Sequence, residues 1–327
     1  MHILITGAAG MIGRKLTTAL VQAGQLRGKP IDNMTLVDVV PPVLPDGIAG
    51  AALAADLSDP AAAPALIQTR PDVIFHLAAI VSGEAEADFA KGYAVNLYGT
   101  LGLCDAIAAE TDYCPRFVFT SSIAVFGAPL PDVIPDDQPT LPLTSYGTQK
   151  AMGELLVNDL SRRGLMDGVS LRLPTICVRP GKPNAAASGF YSSILREPLV
   201  GQEAVLPVPE TTRHWFASPR AAVGFLLHAA EIDLKPLGQN RALSLPGVDA
   251  TVADEIAALE AIAGPKATAL IRRAPDATIA RIVGGWPQAF DPARARALGF
   301  EAEPDMEAIL RAHIEDELDG RIPVAED

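Results

Sequence analysis

Tyr146 and Lys150 stand four residues apart in Ser145-Tyr146-Gly147-Thr148-Gln149-Lys150, a spacing that puts both on one face if the stretch is helical. A phenol, with a pKa of about 10, is a poor base near neutrality unless a nearby cation favours its anion. Lys150 could be that cation. Upstream, Thr120-Ser121-Ser122 places three hydroxyls at the end of an apolar run, Arg116 to Ser121, that reads as a strand. The carboxyl ends of strands are where open α/β sheets bind ligands. An incidental Tyr/Lys pair on an amphipathic helix has the same spacing, so the pair becomes informative only through its surroundings.

Those surroundings begin at the first residues. Ile3-Leu4-Ile5-Thr6-Gly7-Ala8-Ala9-Gly10-Met11-Ile12-Gly13 is an apolar run too short for a helix that meets three glycines at intervals of three, and an apolar-periodic segment, Leu16 to Leu26, follows. The pattern predicts strand, tight turn and helix. In a nucleotide-binding turn one glycine makes the turn, one lets backbone approach a pyrophosphate, and one lets helix pack on strand. The helix start offers N–H groups and a positive dipole end to the anion, so Gly7, Gly10, Met11, Ile12 and Gly13 are candidate cofactor contacts. A plain strand-to-helix turn uses glycine too. The distinguishing context is an acidic residue at the end of the next strand. Thr35-Leu36-Val37-Asp38 supplies it, a little late because Gly28 to Asn33 lengthens the loop. Asp38 would accept from ribose hydroxyls and repel a phosphate, so the expected cofactor is NAD and not NADP.

Further strands are expected at Gly50 to Asp56 and from Pro71 into His76. At the end of the first, Asp56 can accept from an adenine amino group with Leu57 packed on the ring, or can cap a helix from Ser58 onward. The second runs into Leu77-Ala78-Ala79, small enough to let backbone approach a cofactor. His76 has no partner visible in sequence and reads as a packed, hydrogen-bonded histidine. A helix is expected over Glu84 to Glu110; its Asn96 lies among apolar neighbours and needs a buried polar partner. A loop over 128–144 leads into the Tyr146 helix. His228 lies in an apolar run, where a core or helix-end role is expected, Thr251 opens a capped helix, and Glu303 to Leu318 reads as the last helix.

The 327 residues can bury a sizeable core, and no low-complexity segment marks a flexible linker, so one body with two lobes is expected. Strand-like runs alternate with longer helical patterns, which suggests an α/β class with helices on both faces of a parallel sheet. The formal net charge of -13, with no basic cluster, excludes nucleic acid as a partner. Cys104, Cys114 and Cys177 are odd in number and lack metal-ligand spacing, which suggests buried thiols, a reducing compartment and no metal site. No basic leader and no stretch near about 18 apolar residues is present, so a soluble, cytoplasmic protein without membrane contact is expected. The expected assembly is a homodimer.

Taken in order, Gly7/Gly10/Gly13, Asp38, His76-Leu-Ala-Ala, Asn96, Ser121-Ser122 and Tyr146-x-x-x-Lys150 resemble the extended short-chain dehydrogenase/reductase family. The likeness runs on through Arg172-Leu-Pro-Thr175 and through Asp291 to Phe300, over essentially the whole chain. It implies a Rossmann-type doubly wound sheet over 1–174, rejoined by 215–240, with Trp215 to Ser218 and the helix 219–231 returning to the main sheet. A smaller α+β substrate-binding lobe would form from 175–214 and 241–327. It implies that Ser122 holds the substrate oxygen, that Tyr146 is the general acid/base, and that Lys150 lowers the phenol's pKa and binds the nicotinamide ribose. Asn96 would anchor a water linking Lys150 to solvent, and Leu77, Ala78, Ala79, Asn96 and Pro174 would lie along the cofactor. Phe126 stands where many relatives carry Tyr.

Ser82 to Phe89, Arg179 to Asn184 and Gly189 to Pro198 resemble more closely a branch that oxidises a sugar acid at C2. That implies NAD-dependent oxidation of a 2-hydroxy acid to the 2-oxo acid. Ser82, Ser122, Tyr146, Thr175, Asn184 and Arg213 would touch the substrate, with Arg213, or else Arg179, meeting its carboxylate. A nucleotide-sugar 4-epimerase shares the fold, cofactor and first step and stays open. Dehydration is disfavoured, because Ile123 and Ala124 stand where dehydratase relatives carry an acidic pair. A non-catalytic NAD-sensing regulator is disfavoured by the presence of both Tyr146 and Lys150.

Overall fold

A computed structural model describes residues 1–181 and 187–326. The opening apolar run forms strand β1 (His2–Thr6), followed in the same sheet by β2 (Asn33–Asp38), β3 (Gly50–Ala54), β4 (Val73–His76), β5 (Arg116–Ser122), β6 (Asp167–Leu173) and β7 (Ala242–Ser244). The sheet order is β7-β6-β5-β4-β1-β2-β3. The pairings of β1 with β2 and β4, of β2 with β3, of β4 with β5 and of β6 with β7 are parallel. Strand order reverses between β1 and β4, which makes a crevice at their carboxyl ends the place for a ligand.

Successive residues of a strand point to opposite faces, and Ile3, Leu4 and Ile5 are all fully buried, so both faces of the sheet are covered. On one face Leu4, Val37, Ile74, Phe117 and Phe119 pack against Leu66 of helix Ala62–Ile67 and against two longer helices. Between these and β1 in sequence comes α1 (Met11–Ala23), which buries Leu16 and Leu20. The two longer helices are α2 (Gly99–Ala109), through Leu103 and Ile107, and α3 (Ser145–Arg162), through Val157. The architecture is α/β, a Rossmann-type doubly wound parallel sheet.

The chain divides into two compact units. The first comprises Met1–Val125, Pro142–Arg172 and Val223–Ser244; the second comprises Phe126–Leu141, Leu173–Ala222 and Leu245–Asp327. In the second, Thr175–Ile176 runs parallel to Arg213–Ala217, which is antiparallel to Val248–Thr251, and Ala204–Leu206 pairs with Ile271–Arg273. Its core gathers Tyr191, Ile194 and Leu195 of helix Gly189–Leu199, Leu259 of helix Val252–Thr268, and Ile309 and Leu310 of helix Met306–Glu317. Helix Val252–Thr268 opens with a capping box between Thr251 and Asp254, as its sequence predicts.

Several expected bounds are corrected. Arg213–Ala217 does not return to the main sheet, because Val248–Thr251 and Thr175–Ile176 take its edges and Trp215 Nε1 donates to the Leu245 carbonyl at 3.1 Å. Ala242–Ser244, expected in the second lobe, joins the main sheet beside β6. The helix expected over Glu84 to Glu110 is broken into Ser82–Ala87, Phe89–Gly92, a π-helix at Tyr93–Tyr98, and α2. Asp88 makes the break, leaving helical geometry at φ -125 while its side chain caps Lys91 N at 3.0 Å. Helix α1 stops at Ala23 because Gly24 takes the left-handed conformation, φ 64. The chain's final helix is the short Pro323–Glu326, beyond Met306–Glu317. Cys104 and Cys177 are buried, but Cys114, in the turn before β5, is exposed. Among the described residues no helix is long and apolar enough to cross a membrane.

Candidate active site

Gly7 leaves β1 at φ 74, which glycine adopts without strain. A Cβ on Gly7 would lie 2.7 Å from Ala78 N, and one on Gly13 would lie 2.2 Å from Gly7 O. These two glycines are needed to pack the turn onto the end of β4 and α1 onto the turn. Gly10 differs, since among the described residues its Cβ would meet only Gly7 O, at a tight but tolerable 3.2 Å, so packing within the chain does not by itself demand glycine there. Close approach of a pyrophosphate would. Gly10 also precedes α1, which no side chain caps, so the first N–H groups of the helix suit an anion. At the end of β2, Asp38 Oδ2 accepts from Ala9 N at 3.0 Å, which fixes a carboxylate beside the turn. The donor set fits NAD, with Gly7 to Gly13 at the phosphates and Asp38 at the ribose. β3 ends two residues short of Asp56, whose exposed carboxylate accepts from Ser58 N at 2.9 Å; Leu57 is buried. The helix cap considered for Asp56 is not made, because the next helix starts only at Ala62, with Ala61 at its N-cap position, and Asp56 holds just the turn before it.

The end of β4 is fixed by a hydrogen-bond chain. Ala78 N donates to Thr6 Oγ1 (3.3 Å), Thr6 Oγ1 lies 2.7 Å from His76 Nδ1, His76 Nε2 lies 2.9 Å from Thr100 Oγ1, and Thr100 Oγ1 donates to Asn96 O (2.8 Å). A carbonyl can only accept, so the Thr100 proton points at Asn96 and the Thr100 oxygen receives from His76 Nε2–H. Nδ1 is then the bare nitrogen and accepts from Thr6. Burial, with a smaller push from Lys150, lowers the His76 pKa to about 3, so the ring is neutral. His76 is the packed, hydrogen-bonded histidine its sequence context suggests.

Asn96 sits in the π-helix, 1% exposed. Its Oδ1 accepts from Ile80 N (2.8 Å) and its Nδ2 donates to Ile80 O (3.2 Å) and to Gln149 Oε1 (2.8 Å). The polar partner required by its apolar neighbours is thus the backbone just before Ser82, plus a glutamine of α3 that sequence reasoning passed over.

Thr144 caps α3, accepting from Gly147 N at 3.0 Å, and the helix presents Tyr146 and Lys150 one turn apart. Tyr146 shares a hydrogen bond with Ser122, whose Oγ also accepts from Ala124 N at 3.1 Å. Lys150, buried, donates from Nζ to Thr120 O at 2.7 Å, and Nζ lies 4.8 Å from the Phe119 ring centroid and 5.7 Å from that of Tyr146. Ser122, Tyr146 and Lys150 are therefore brought together at the carboxyl end of β5. Burial pushes the Tyr146 phenol up to about 12, opposed by the Ser122 hydrogen bond, and pushes the Lys150 ammonium down to about 7, opposed by Glu154. The expected fall in the phenol's pKa is absent here, because the cost of withdrawing the phenol from water outweighs the Ser122 hydrogen bond.

A neighbouring network was not foreseen. Glu154 Oε1 accepts from Ser121 Oγ (2.5 Å) and Arg172 Nε (2.9 Å), and Oε2 accepts from Arg172 Nη2 (2.7 Å). Both charges are buried. The signals were there, in an acidic residue four beyond Lys150 and in an arginine inside the apolar run Val169 to Leu173.

In the second unit Pro174 is buried and Thr175 Oγ1 lies 2.6 Å from His214 Nε2. Arg213 Nε donates to Asp249 Oδ1 at 2.5 Å and Nη2 bonds Oδ2, so an incoming anion would have to share or displace that carboxylate. Arg179 is half-buried, with Nη2 3.2 Å from Ser188 Oγ. Ser82, in the first unit, is half-buried at the start of its short helix. Asn184 lies outside the described residues. Phe126 is buried against Phe290, ring centroids 5.8 Å apart.

The model of the NAD dependent epimerase/dehydratase family matches residues 3–231. D-erythronate dehydrogenase of Cupriavidus necator is 47% identical over 320 residues, 97% of this chain and 98% of that protein. D-erythronate dehydrogenase of Haemophilus influenzae is 40% identical over 316 residues, 96% of this chain and 99% of that protein. The crystal structure of a nucleoside-diphosphate-sugar epimerase from Agrobacterium tumefaciens superposes with a TM-score of 0.97 at 63% identity, covering 98% of this chain and 96% of that one. With the glycine turn, Asp38 and the Ser122, Tyr146 and Lys150 cluster in place, the chain belongs to the NAD dependent epimerase/dehydratase family, as an NAD-dependent dehydrogenase of the extended short-chain type.

Proposed function

We propose that the protein oxidises the C2 hydroxyl of a small sugar acid of the D-erythronate kind to the 2-oxo acid. The observation that carries this reading is the meeting of Ser122, Tyr146 and Lys150 at the end of β5, in a chain that matches the two D-erythronate dehydrogenases over nearly its whole length. Ser122 holds the substrate oxygen and Tyr146 takes its proton. Lys150 supplies positive charge beside the phenol and binds the nicotinamide ribose, and Asn96 anchors a water that returns protons to solvent. NAD, when bound, accepts the hydride and brings the positive charge of its oxidised ring. Gly7, Gly10, Met11, Ile12, Gly13, Asp38, Asp56, Leu57, Leu77, Ala78, Ala79 and Pro174 hold the cofactor.

The residues proposed for NAD belong to the first unit except Pro174, and those proposed for the acid come from both units. Ser82, Thr175 and Asn184 give polar contacts. Burying a carboxylate without a cation is costly, and Arg213, or Arg179 in its place, supplies one. The protein acts in the cytoplasm as a homodimer, which size-exclusion chromatography with light scattering tests directly. A second reading, nucleotide-sugar 4-epimerisation, is favoured by the name of the Agrobacterium tumefaciens structure. The two separate in one assay, purified protein with NAD and either aldonates or nucleotide sugars. Accumulation of reduced nicotinamide with D-erythronate is expected; sugar inversion without accumulation, and no response to any aldonate, would overturn the proposal.

A further inference from the structure

We infer that the buried Glu154–Arg172 pair is a restrained counter-charge for the active site: Glu154 holds the positive charge on Lys150, and Arg172 keeps Glu154 from capturing it. This rests on the reading above that Lys150 acts as the site's cation.

The surroundings of Lys150 make a counter-charge necessary. Its ammonium is withdrawn from water with one carbonyl, Thr120 O, and two ring faces, Phe119 and Tyr146, as neighbours. Such partners offset only part of the loss of hydration. On β4, His76 is locked neutral by Thr6 and Thr100. On the segment before the π-helix, Glu84 pairs with Lys91, and Glu86 accepts from Ser145 N. Asn96 and Gln149 are uncharged. Glu154, one turn further along α3, is the carboxylate that favours the charged form of Lys150.

A free glutamate one turn from a buried lysine would fold onto it and pull Nζ away from Thr120 O and the Tyr146 ring. Here that movement is blocked, because Arg172 grips both carboxylate oxygens and Ser121 donates to one of them. Ser121 is also the link between Thr120, which holds Nζ, and Ser122, which bonds Tyr146. The pair is therefore built into the strand end that carries the chemistry. Glu154 and Arg172 are positioning residues in this scheme and touch no reacting atom.

The test is an NMR titration of protein labelled with ε-13C-lysine, with the Lys150 signal assigned by its loss in Lys150→Arg. Glu154→Gln should lower the Lys150 midpoint by about one pH unit or more, and the basic limb of the kcat/KM profile should move with it. Ser121→Ala removes a hydrogen bond from the carboxylate but leaves its charge, and should leave the midpoint in place. If Glu154→Gln does not fold, the double variant Glu154→Leu with Arg172→Met removes both charges in a way cores tolerate, and a smaller fall is expected, because loss of the Arg172 charge offsets part of it. An unmoved midpoint in a folded variant lacking Glu154 overturns the inference, as does lower turnover at every pH with no shift of the limb. The titration needs no substrate, so failure of the parent to oxidise D-erythronate would count against the proposed reaction and leave this result standing.

Discussion

Glu154 and Glu255 are both buried, 3% and 0% exposed, yet the two units of the chain treat them in opposite ways. In the first unit Glu154 is held by Arg172 in an ion pair and by a hydrogen bond from Ser121. In the second, Glu255 Oε1 is 3.8 Å from Cys177 Sγ, its Oε2 has no hydrogen-bond partner among the described residues, and burial pushes its pKa well above the usual carboxylate range. Burial there favours the neutral acid. The same holds around it, since Tyr191 stacks on His214 with ring centroids 5.1 Å apart, and burial lowers the His214 pKa to about 4. One unit keeps paired charges beside its titrating groups, and the other keeps polar groups that have given up their charge. Buried polarity alone is thus no mark of catalysis; what distinguishes the Lys150 region is a fixed charge next to a group that must titrate.

The largest effect expected from this contrast is on chemistry. Tyr146→Phe should lower turnover by about 100- to 10,000-fold while NAD affinity, measured by fluorescence titration, stays nearly unchanged. Arg213→Ala, in the second unit, should instead raise the KM for the acid far more than that for NAD. If both variants lose turnover alike, the division of labour between Tyr146 and Arg213 is wrong.

Stability should separate the two glutamates next. Glu154→Leu takes from the buried Arg172 the carboxylate that grips it and should cost about 3–5 kcal/mol in urea unfolding. Glu255→Gln replaces one neutral group with another of similar shape and should stay within about 1 kcal/mol. Equal losses would mean that Glu255 is charged after all.

The histidines sharpen the comparison by being alike. His76 in one unit and His214 in the other have folded pKa values of about 3 and 4, below the unfolded value of 6.5. Between those limits the unfolded chain binds more protons, so the stability is fully present above pH 6.5 and drains as pH falls toward 4. Each should remove roughly 2–3 kcal/mol by pH 4.5. Denaturation measured from pH 7 to 4.5 would show it, and His214→Gln should reduce the slope by one proton; an unchanged slope refutes the neutral ring.

The smallest effect concerns Asp38. Replacement by Ala should narrow the preference for NAD over NADP by about tenfold, the worth of one charge-assisted contact. Preference for NADP in the parent would remove Asp38 as the discriminator.

What the sequence made legible was local. Gly7, Gly10 and Gly13, Asp38 at a strand end, and the Tyr146/Lys150 spacing each follow from a few consecutive residues, and the doubly wound sheet follows from their alternation. The partners of these residues lie far off along the chain. His76 finds Thr6, seventy residues back, and Glu154 finds Arg172, eighteen on. The sheet that Arg213–Ala217 joins is likewise a matter of pairing with Val248–Thr251, which its own composition does not state. The break at Asp88 and the π-helix after it were illegible for another reason, since no proline interrupts the stretch and its glycines, Gly92, Gly99 and Gly102, lie inside helical turns.

That π-helix makes chain length itself a constraint. A π turn holds one residue more than an α turn. The stretch has therefore already absorbed one extra residue, and a further one added after Ala94, with no second bulge to take it up, would swing everything before it by about 100° about the axis, carrying Ile80 away from the Asn96 amide while Asn96 and Thr100 kept their spacing. Between Lys91 and Gly99, then, a substitution changes one contact, but an added residue turns two halves of the site against each other.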